Sequence, residues 1–214
     1  RRQRQMCIRD RLYVQEDLIG QIWKDRPPMS KEPVWILDEA YSGRSTKDKL
    51  AAVREKMKEK GAEVHLLASL YDIAWLLNVR GNDISYVPVV LSYLALTQEQ
   101  CIWFLQEEVV DDTLREYLQK NGITTRPYEA FYEYVKTLEN QTILLNRAVV
   151  NTKICNNLPE SAQMIDAEDP TLEMKAVKNE TEISNTRKAH VKDAVAMCRS
   201  EHGSSRRCRR RGSR

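Results

Sequence analysis

The sequence contains little of what metal sites and disulfide frameworks require. It has three histidines, His65, His190 and His202, and none belongs to an HxxxH or HxH pattern. Its five cysteines include no CxxC pair, so the spacing typical of a zinc site or a secreted disulfide scaffold is missing. We therefore predict that this chain contributes no metal ligand and no catalytic residue, and that its cysteines are reduced thiols.

Long apolar runs and secretory signals are also missing. No run approaches the roughly 20 residues that cross a bilayer as a helix, and no signal peptide is visible. Together with the widely spaced cysteines, this pattern favours a cytoplasmic protein with no membrane partner.

The formal net charge of +3 conceals an acidic body between two basic ends. Residues 1–11 carry five Arg and one Asp, and residues 199–214 carry seven Arg and one Glu. Removing these net charges of +4 and +6 leaves −7 for residues 12–198. The body therefore gives little support to a nucleic-acid partner, for which a basic patch on a folded face is the expected signature.

Both ends differ in composition from the body. Residues 1–11 resemble the translation of a sequencing adapter, and we leave them out of the fold prediction as we would a tag. Residues 199–214 contain mainly Arg, Ser, Gly and Cys without apolar periodicity, which indicates a frameshifted tail. A natural basic arm that binds RNA or membrane lipid is the alternative for this tail.

Helix and strand patterns alternate through the body. Residues 12–26 predict a strand and a short helix, and the prolines between residues 27 and 33 mark a linker. Further helices are predicted at 45–60, 69–78, 111–120, 128–138 and 152–157. Strands are predicted at 62–68, 87–97, 101–106, 123–126 and 142–145. The alternation predicts an α/β fold with a mixed sheet covered by helices on both faces.

Residues 71–93, YDIAWLLNVRGNDISYVPVVLSY, form the most informative segment. They predict a short amphipathic helix, a tight turn and a following strand. In the turn, Arg80 is predicted to form a bidentate pair with a carboxylate, and Gly81 to supply a positive φ. Arg80, Gly81 and Asp83 are the candidate functional residues of this chain, with a structural role favoured over a role in binding substrate.

A second segment, KAVKNETEISNTRKAH, covers residues 175–190. It belongs to a long stretch of helix formers that opens at Asp169-Pro170. A break at Lys178-Asn179 is predicted to divide this stretch into two helices.

The other histidines and acidic residues have structural explanations. His65 lies in an apolar strand and is predicted to be a satisfied core histidine, while His190 is predicted to be a docking or surface residue. Ser69 with Asp72 predicts a variant of the capping box. Helix capping also explains the acidic clusters Asp111-Asp112 and Asp166/Glu168/Asp169 better than metal coordination does.

The two segments resemble motifs of the long, three-domain Xaa-Pro aminopeptidases (aminopeptidase P). These enzymes carry a similar D-x-I-A-W-L-L-N-x-R-G-x-D-I-x-Y-x-P-V run in their middle domain and a K-A-V-K-N-x-x-E-I-x-x-x-R-K-A-H segment at the entry to their catalytic domain. The resemblance implies that residues 12–32 end a first domain and its linker. Residues 33–168 are then a creatinase-like middle domain, and residues 169–198 are the first, truncated helices of a catalytic "pita-bread" domain.

The resemblance also implies an activity, the removal of an N-terminal residue that precedes proline. In that family two divalent metal ions, usually manganese, are held by residues beyond the segment that ends here near Cys198. The chain is therefore expected to be an inactive scaffold without a cofactor, whose parent binds peptides with proline at the second position and forms a homodimer. Arg80 could alternatively point toward a peptide in the neighbouring cleft. A non-catalytic interaction or oligomerisation module, or a creatinase or prolidase relative, are the other readings of the sequence.

Overall fold

The computed structural model describes residues 18–211. The adapter-like residues 1–11 and the first residues of the strand predicted after them lie outside this range. The chain divides into two compact units, Arg1–Ser30 and Lys31–Arg214. Among the described residues, no helix is long and apolar enough to cross a membrane.

The second unit alternates helices and strands, as the sequence pattern predicts. The helices are α1 Leu18–Ile22 (in the first unit), α2 Glu39–Ser42, α3 Thr46–Glu59, α4 Leu70–Leu76, α5 Asp112–Lys120, α6 Ala130–Lys136, α7 Thr152–Asn157, α8 Pro170–Ala176 and α9 Glu180–Arg211. The strands are β1 Trp35–Ile36, β2 Val64–Leu67, β3 Val79–Arg80, β4 Tyr93–Thr97, β5 Cys101–Leu105, β6 Ile123–Pro127, β7 Thr142–Leu145 and β8 Gln163–Asp166.

Six strands form one mixed sheet in the order β6-β5-β4-β2-β7-β8, and β1 and β3 form a separate two-stranded pair. Strand β4 is antiparallel to both β2 and β5, whereas the β5·β6, β2·β7 and β7·β8 pairs are parallel. The predicted mixed sheet is confirmed. The edge strand β8 was not predicted, because its side chains are largely exposed and its sequence lacks an apolar alternation.

Helices cover both faces of this sheet. On one face Met57 of α3 and Leu118 of α5 belong to one apolar cluster, and on the other Phe131 of α6 and Ile154 of α7 belong to a second. Successive side chains of a strand point to opposite faces. Burial on both faces explains why β2 has no exposed residue, including His65.

The helix ends follow the predicted cap chemistry. The Ser45 side chain accepts from the Asp48 N–H at the start of α3, and the Asp111 side chain accepts from the Leu114 N–H at the start of α5. After α3, Gly61 has a φ of +68°, a conformation that glycine adopts without the penalty of a Cβ.

One predicted strand is shorter than expected. The pattern predicted a strand over residues 87–97, but β4 begins only at Tyr93. Pro88 has no N–H to donate, and the Leu91 N–H donates to Asp83 Oδ2 at 2.7 Å. Backbone donors that a sheet would need are therefore missing or already used.

The break predicted at Lys178-Asn179 is confirmed, since α8 ends at Ala176 and α9 begins at Glu180. Helix α9 continues past Cys198 to Arg211. The change in composition at residue 199 therefore does not coincide with the end of a helix. The domain limits and the origin of residues 199–214 stay predictions.

Candidate functional site at the junction of two motifs

The two motif segments meet in space at the start of α9. Trp75 in α4 donates its indole N–H to Glu182 Oε1 in α9 at 3.2 Å, across 107 positions of sequence. Lys175 Nζ in α8 lies 2.6 Å from Asp72 Oδ1 in α4. The junction therefore consists of an indole–carboxylate hydrogen bond and an ion pair, both linking the first motif to the second.

A reciprocal capping box fixes the start of α9. The Glu182 N–H donates to Asn179 Oδ1 at 2.9 Å, and the Asn179 N–H donates to Glu182 Oε2 at 3.0 Å. This arrangement satisfies two backbone donors that a helix N-terminus leaves free. Because its other oxygen accepts from the indole N–H of Trp75, Glu182 couples the orientation of α9 to α4.

The same asparagine also holds α9 against the end of α2. Asn179 donates from Nδ2 to the Ser42 carbonyl at 2.9 Å. At the neighbouring Gly43, with a φ of +65°, an added Cβ would lie 2.5 Å from Asn179 Oδ1. Glycine is required at this position both for the backbone conformation and for the close approach of the asparagine.

Lys49 in α3 is a buried cation beneath the junction. It donates from Nζ to the Trp75 carbonyl at 2.8 Å and to Asn78 Oδ1 at 2.7 Å, and its ammonium lies 4.3 Å from the centre of the Trp75 ring. Burial lowers the pKa of Lys49 to about 8, while the charge of Glu182 acts in the opposite direction.

Asn78 terminates α4 in a left-handed conformation, with a φ of +50°. Its side chain accepts from Lys49 and donates from Nδ2 to the Arg44 carbonyl at 2.9 Å. Asparagine is among the non-glycine residues that tolerate this conformation best. The predicted helix end at this residue is therefore held by side-chain bonds to two other segments.

The prediction that Arg80 pairs with a carboxylate was wrong. Arg80 donates from Nη1 to the backbone carbonyls of Ala74 at 2.7 Å and Val79 at 2.8 Å. Within the described part of the chain, no carboxylate oxygen lies within ion-pair distance of it. The carbonyls in the last turn of a helix lack intrahelical donors, and Arg80 satisfies one of them in α4. Burial lowers the pKa of this guanidinium, partly offset by Glu182.

The other two candidate residues of the turn are structural as well. Gly81 does not have a positive φ, which corrects the prediction. It is needed instead because a Cβ would lie 2.8 Å from Val90 Cγ2 and 3.0 Å from the Val89 carbonyl oxygen. Asp83 accepts from the Leu91 N–H at 2.7 Å and from the Glu32 N–H at 3.4 Å. Its two oxygens thereby tie the turn to both flanking segments.

A cavity of about 530 Å³ opens between α2, α4 and α9. Lys49, Trp75, Arg80 and Glu182 all line it, and its other charged lining residues are Lys175, Lys178, Lys188 and Lys192. The lining is therefore basic, with Glu182 as the single carboxylate. It offers donors to an anion but no nucleophile with an adjacent base.

Metal ligands are not brought together by the fold in the residues described. No group of three or more His, Cys, Asp or Glu side chains there has the geometry to hold a metal ion. His190 is exposed on α9, and Asp166 accepts from the Arg147 N–H at 3.0 Å. The expectation that the chain carries no metal site stays a prediction.

Two predicted caps were wrong, and both concern buried carboxylates. Ser69 and Asp169 occupy N-cap positions without a side-chain cap hydrogen bond. Asp72, expected to complete a capping box with Ser69, is buried and pairs with Lys175 instead. Asp169 is buried near His65, whose Nε2 lies 3.8 Å from its Oδ1.

Lys49 and Glu182, the two central residues of the junction, were not among the candidates. Glu182 follows Asn179 by three positions, which is the spacing of a capping box. Lys49 shares the buried side of α3 with Leu50, Val53 and Met57. A lysine on an apolar stripe was the available signal for a buried charge.

A family model for the creatinase/prolidase N-terminal domain matches residues 25–182. This range includes both Trp75 and Glu182. Among curated proteins, a probable Xaa-Pro aminopeptidase P from Laccaria bicolor is 36% identical over 196 residues, covering 87% of this chain and 30% of that protein. Xaa-Pro aminopeptidase 1 from Dictyostelium discoideum is 33% identical over 184 residues, covering 85% and 29%.

A solved structure gives the same picture. The X-prolyl aminopeptidase from Caenorhabditis elegans, described as a cytosolic enzyme with a di-nuclear active site, superposes with a TM-score of 0.78 at 28% identity. The match covers 86% of this chain and 31% of that one. The predicted resemblance is thus confirmed, and the chain spans about a third of the length of the relatives it matches.

Proposed function

The chain belongs to the creatinase/prolidase N-terminal domain family, and from that premise we propose that it is part of a metal-dependent Xaa-Pro aminopeptidase. Such an enzyme removes the N-terminal residue of a peptide whose second residue is proline. We further propose that the parent enzyme is cytoplasmic and uses two divalent ions, with manganese as the metal. The support for two ions and for this location is the description of the nematode relative.

Within that enzyme we assign this chain the role of a scaffold for the metal-bearing domain. The observation that carries this role is the Trp75–Glu182 contact, which locks the first turn of α9 to α4. The residues described here do not fit a dinuclear centre, so no step of the hydrolysis is assigned to them. Their contribution is to hold α8 and α9 in a fixed direction.

Incubating the purified chain with Mn²⁺ and the peptide Arg-Pro-Pro tests this role. We expect no release of arginine above the protein-free control, and no tightly bound Mn²⁺ after gel filtration. A full-length aminopeptidase of the same family serves as the positive control for substrate and metal. Manganese-dependent release of arginine by this chain would show that it contains a complete active site.

A second candidate function, an interaction or oligomerisation module, is favoured by one observation. Val191, Val195 and Met197 on α9 are 65%, 46% and 63% exposed, and apolar side chains grouped on one helix are common at interfaces. Light scattering after gel filtration distinguishes the candidates. A homodimer of this chain that V191K/V195K separates into monomers would show that α9 forms an interface, and a monomer at every concentration would count against the interaction module.

A further inference from the structure

A polar cluster joins the central strand β2 to the start of α8 and shares Lys175 with the basic cavity. His65 is fully buried on β2, and the Asp169 side chain is 5% exposed. The distance from Asp169 Oδ1 to the imidazole Nε2 of His65 is 3.8 Å. Asp72, 4% exposed, and Lys175 complete the cluster with their 2.6 Å ion pair. Among the residues that the structure describes, neither His65 Nε2 nor Asp169 Oδ1 has a hydrogen-bond partner.

The hydrogen bond on the opposite side of the imidazole determines what Nε2 can do. His65 Nδ1 lies 3.1 Å from the Leu144 carbonyl oxygen, which can only accept, so Nδ1 must carry a hydrogen. In a neutral ring the other nitrogen, Nε2, is then an acceptor. An ionised Asp169 also offers only acceptors. Without a further proton, two lone-pair atoms would face each other in a buried site.

The charges of the cluster lead to the same requirement. Asp72, Asp169 and Lys175 with a neutral His65 carry a net charge of −1, and one added proton makes the cluster neutral. Burial strongly favours the neutral state. Burial also raises the pKa of Asp169 to about 7, with Asp72 adding to the effect and Lys175 opposing it.

The imidazole is the less favourable place for this proton. Burial lowers the pKa of His65 to about 4, although the Leu144 carbonyl and Asp72 act in the opposite direction. Lys60, which follows the last residue of α3, further disfavours the imidazolium. Asp169 also lines a cavity of about 650 Å³, which gives its carboxyl group a route to solvent protons. The other charged residues around that cavity are Arg44, Lys56, Glu59, Lys60, Glu168 and Glu173.

We propose that the folded chain holds one proton on the carboxyl group of Asp169, beside a neutral His65, and that its loss loosens the attachment of α8 to the sheet. Deprotonation of Asp169 places a second buried negative charge near Asp72. The ionised carboxylate then also faces the lone pair on His65 Nε2, which repels it. Because α8 leads into the Asn179–Glu182 cap, this cluster makes the direction of α9 sensitive to a rise of pH through about 7.

Nuclear magnetic resonance of the full chain tests where the proton lies. At pH 6 we expect the nitrogen shifts of His65 to show a neutral ring with hydrogen on Nδ1, and the Asp169 carboxyl carbon to show the protonated acid. That carboxyl signal should titrate near pH 7. An imidazolium signal for His65 at pH 6, or an ionised Asp169 at pH 5, would overturn the proposal.

Hydrogen exchange of the α8 amides at pH 6 and pH 8.5, corrected for intrinsic rates, tests the loosening. Protection in the unmodified chain should fall roughly tenfold between pH 6 and pH 8.5, because the stability that comes from the raised pKa of Asp169 is lost as pH rises through about 7. Asp169→Asn should keep its protection because the amide cannot ionise. The matched control Glu168→Gln, an adjacent exposed carboxylate, should behave like the unmodified chain. Unchanged protection in the unmodified chain refutes the loosening, whether or not Asp169→Asn folds.

Discussion

Replacing Lys49 with methionine measures how strongly the junction depends on a buried charge. Lys49 is 1% exposed, and its ammonium donates to the Trp75 carbonyl and to Asn78 Oδ1. Methionine keeps most of the volume but removes the Lys49 donor of Asn78 Oδ1, at about 1–3 kcal/mol, and leaves the Trp75 carbonyl with backbone donors alone. Relief of the buried charge offsets part of this loss. We expect Lys49→Met to lower the free energy of unfolding by about 2 kcal/mol at pH 7.

The pH dependence of this loss is the sharper part of the prediction. Burial lowers the pKa of Lys49 from 10.5 to about 8 in the folded chain. Between these values only the unfolded chain binds the proton, so stability from Lys49 is full above pH 10.5 and is lost as pH falls to 8. At about 1.4 kcal/mol per unit of pKa, the difference between these two pKa values changes the free energy of unfolding by roughly 3 kcal/mol. The deficit of Lys49→Met should therefore widen to about 5 kcal/mol at pH 10.5.

Urea unfolding followed by tryptophan fluorescence at pH 7, 8.5 and 10 measures this difference. Lys47→Met, an exposed lysine of the same helix, is the matched control, and subtracting its effect removes the titration of all other groups. A deficit for Lys49→Met that stays constant or shrinks from pH 7 to pH 10 would refute the reasoning. It would mean that Lys49 is charged in the folded chain with an ordinary pKa.

Three further predictions concern the junction and the polar cluster. Gly43→Ala should lower the free energy of unfolding in urea by about 2–3 kcal/mol and expose the first turn of α9 to hydrogen exchange. Gly61 has a similar φ but open space around an added Cβ, so Gly61→Ala should lower the free energy of unfolding by only about 1 kcal/mol. Glu182→Gln, which has only one side-chain oxygen for two donors, should cost about 1–2 kcal/mol and further lower the pKa of the buried lysine; an unchanged lysine titration by NMR would contradict this. Between pH 4 and 6.5 the raised pKa of Asp169 and the lowered pKa of His65 have opposite effects on stability. With rising pH the free energy of unfolding should fall in His65→Gln, which keeps only Asp169, and rise in Asp169→Asn, which keeps only His65. Each change should be about 1.4 kcal/mol per pH unit. Equal slopes in the two variants would argue against the pair.

Much of the fold could be predicted because its signals are local. The strand at Thr142–Leu145 and the helix at Thr152–Asn157 have their predicted limits. Helix α3 lies between a serine cap and a glycine stop, as its sequence indicates. Strand β8 gives no such signal, because it pairs only with β7 at the edge of the sheet and its side chains are mostly exposed.

The side-chain partners could not be predicted in the same way. The sequence predicts that Arg80 follows a helix in a tight turn, but the residue lies in strand β3 and donates to a carbonyl in the last turn of that helix. Gly81 was correctly predicted to be required, but for the wrong reason, since the close approach of Val90 depends on the path of the chain nine residues later. Both outcomes depend on long-range packing, which periodicity does not contain.

Lys49 shows how such partners could be found earlier. A lysine on the apolar side of a helix must either extend to solvent or meet acceptors inside the protein. Lys49 meets two acceptors around Trp75 and lies close enough to Glu182 for this carboxylate to raise its pKa. The buried cation on α3 and the carboxylate at the third position of α9 are therefore two parts of one electrostatic arrangement. A charged residue on the apolar stripe of one helix thus predicts that another segment supplies the opposite charge, which here is the first turn of α9.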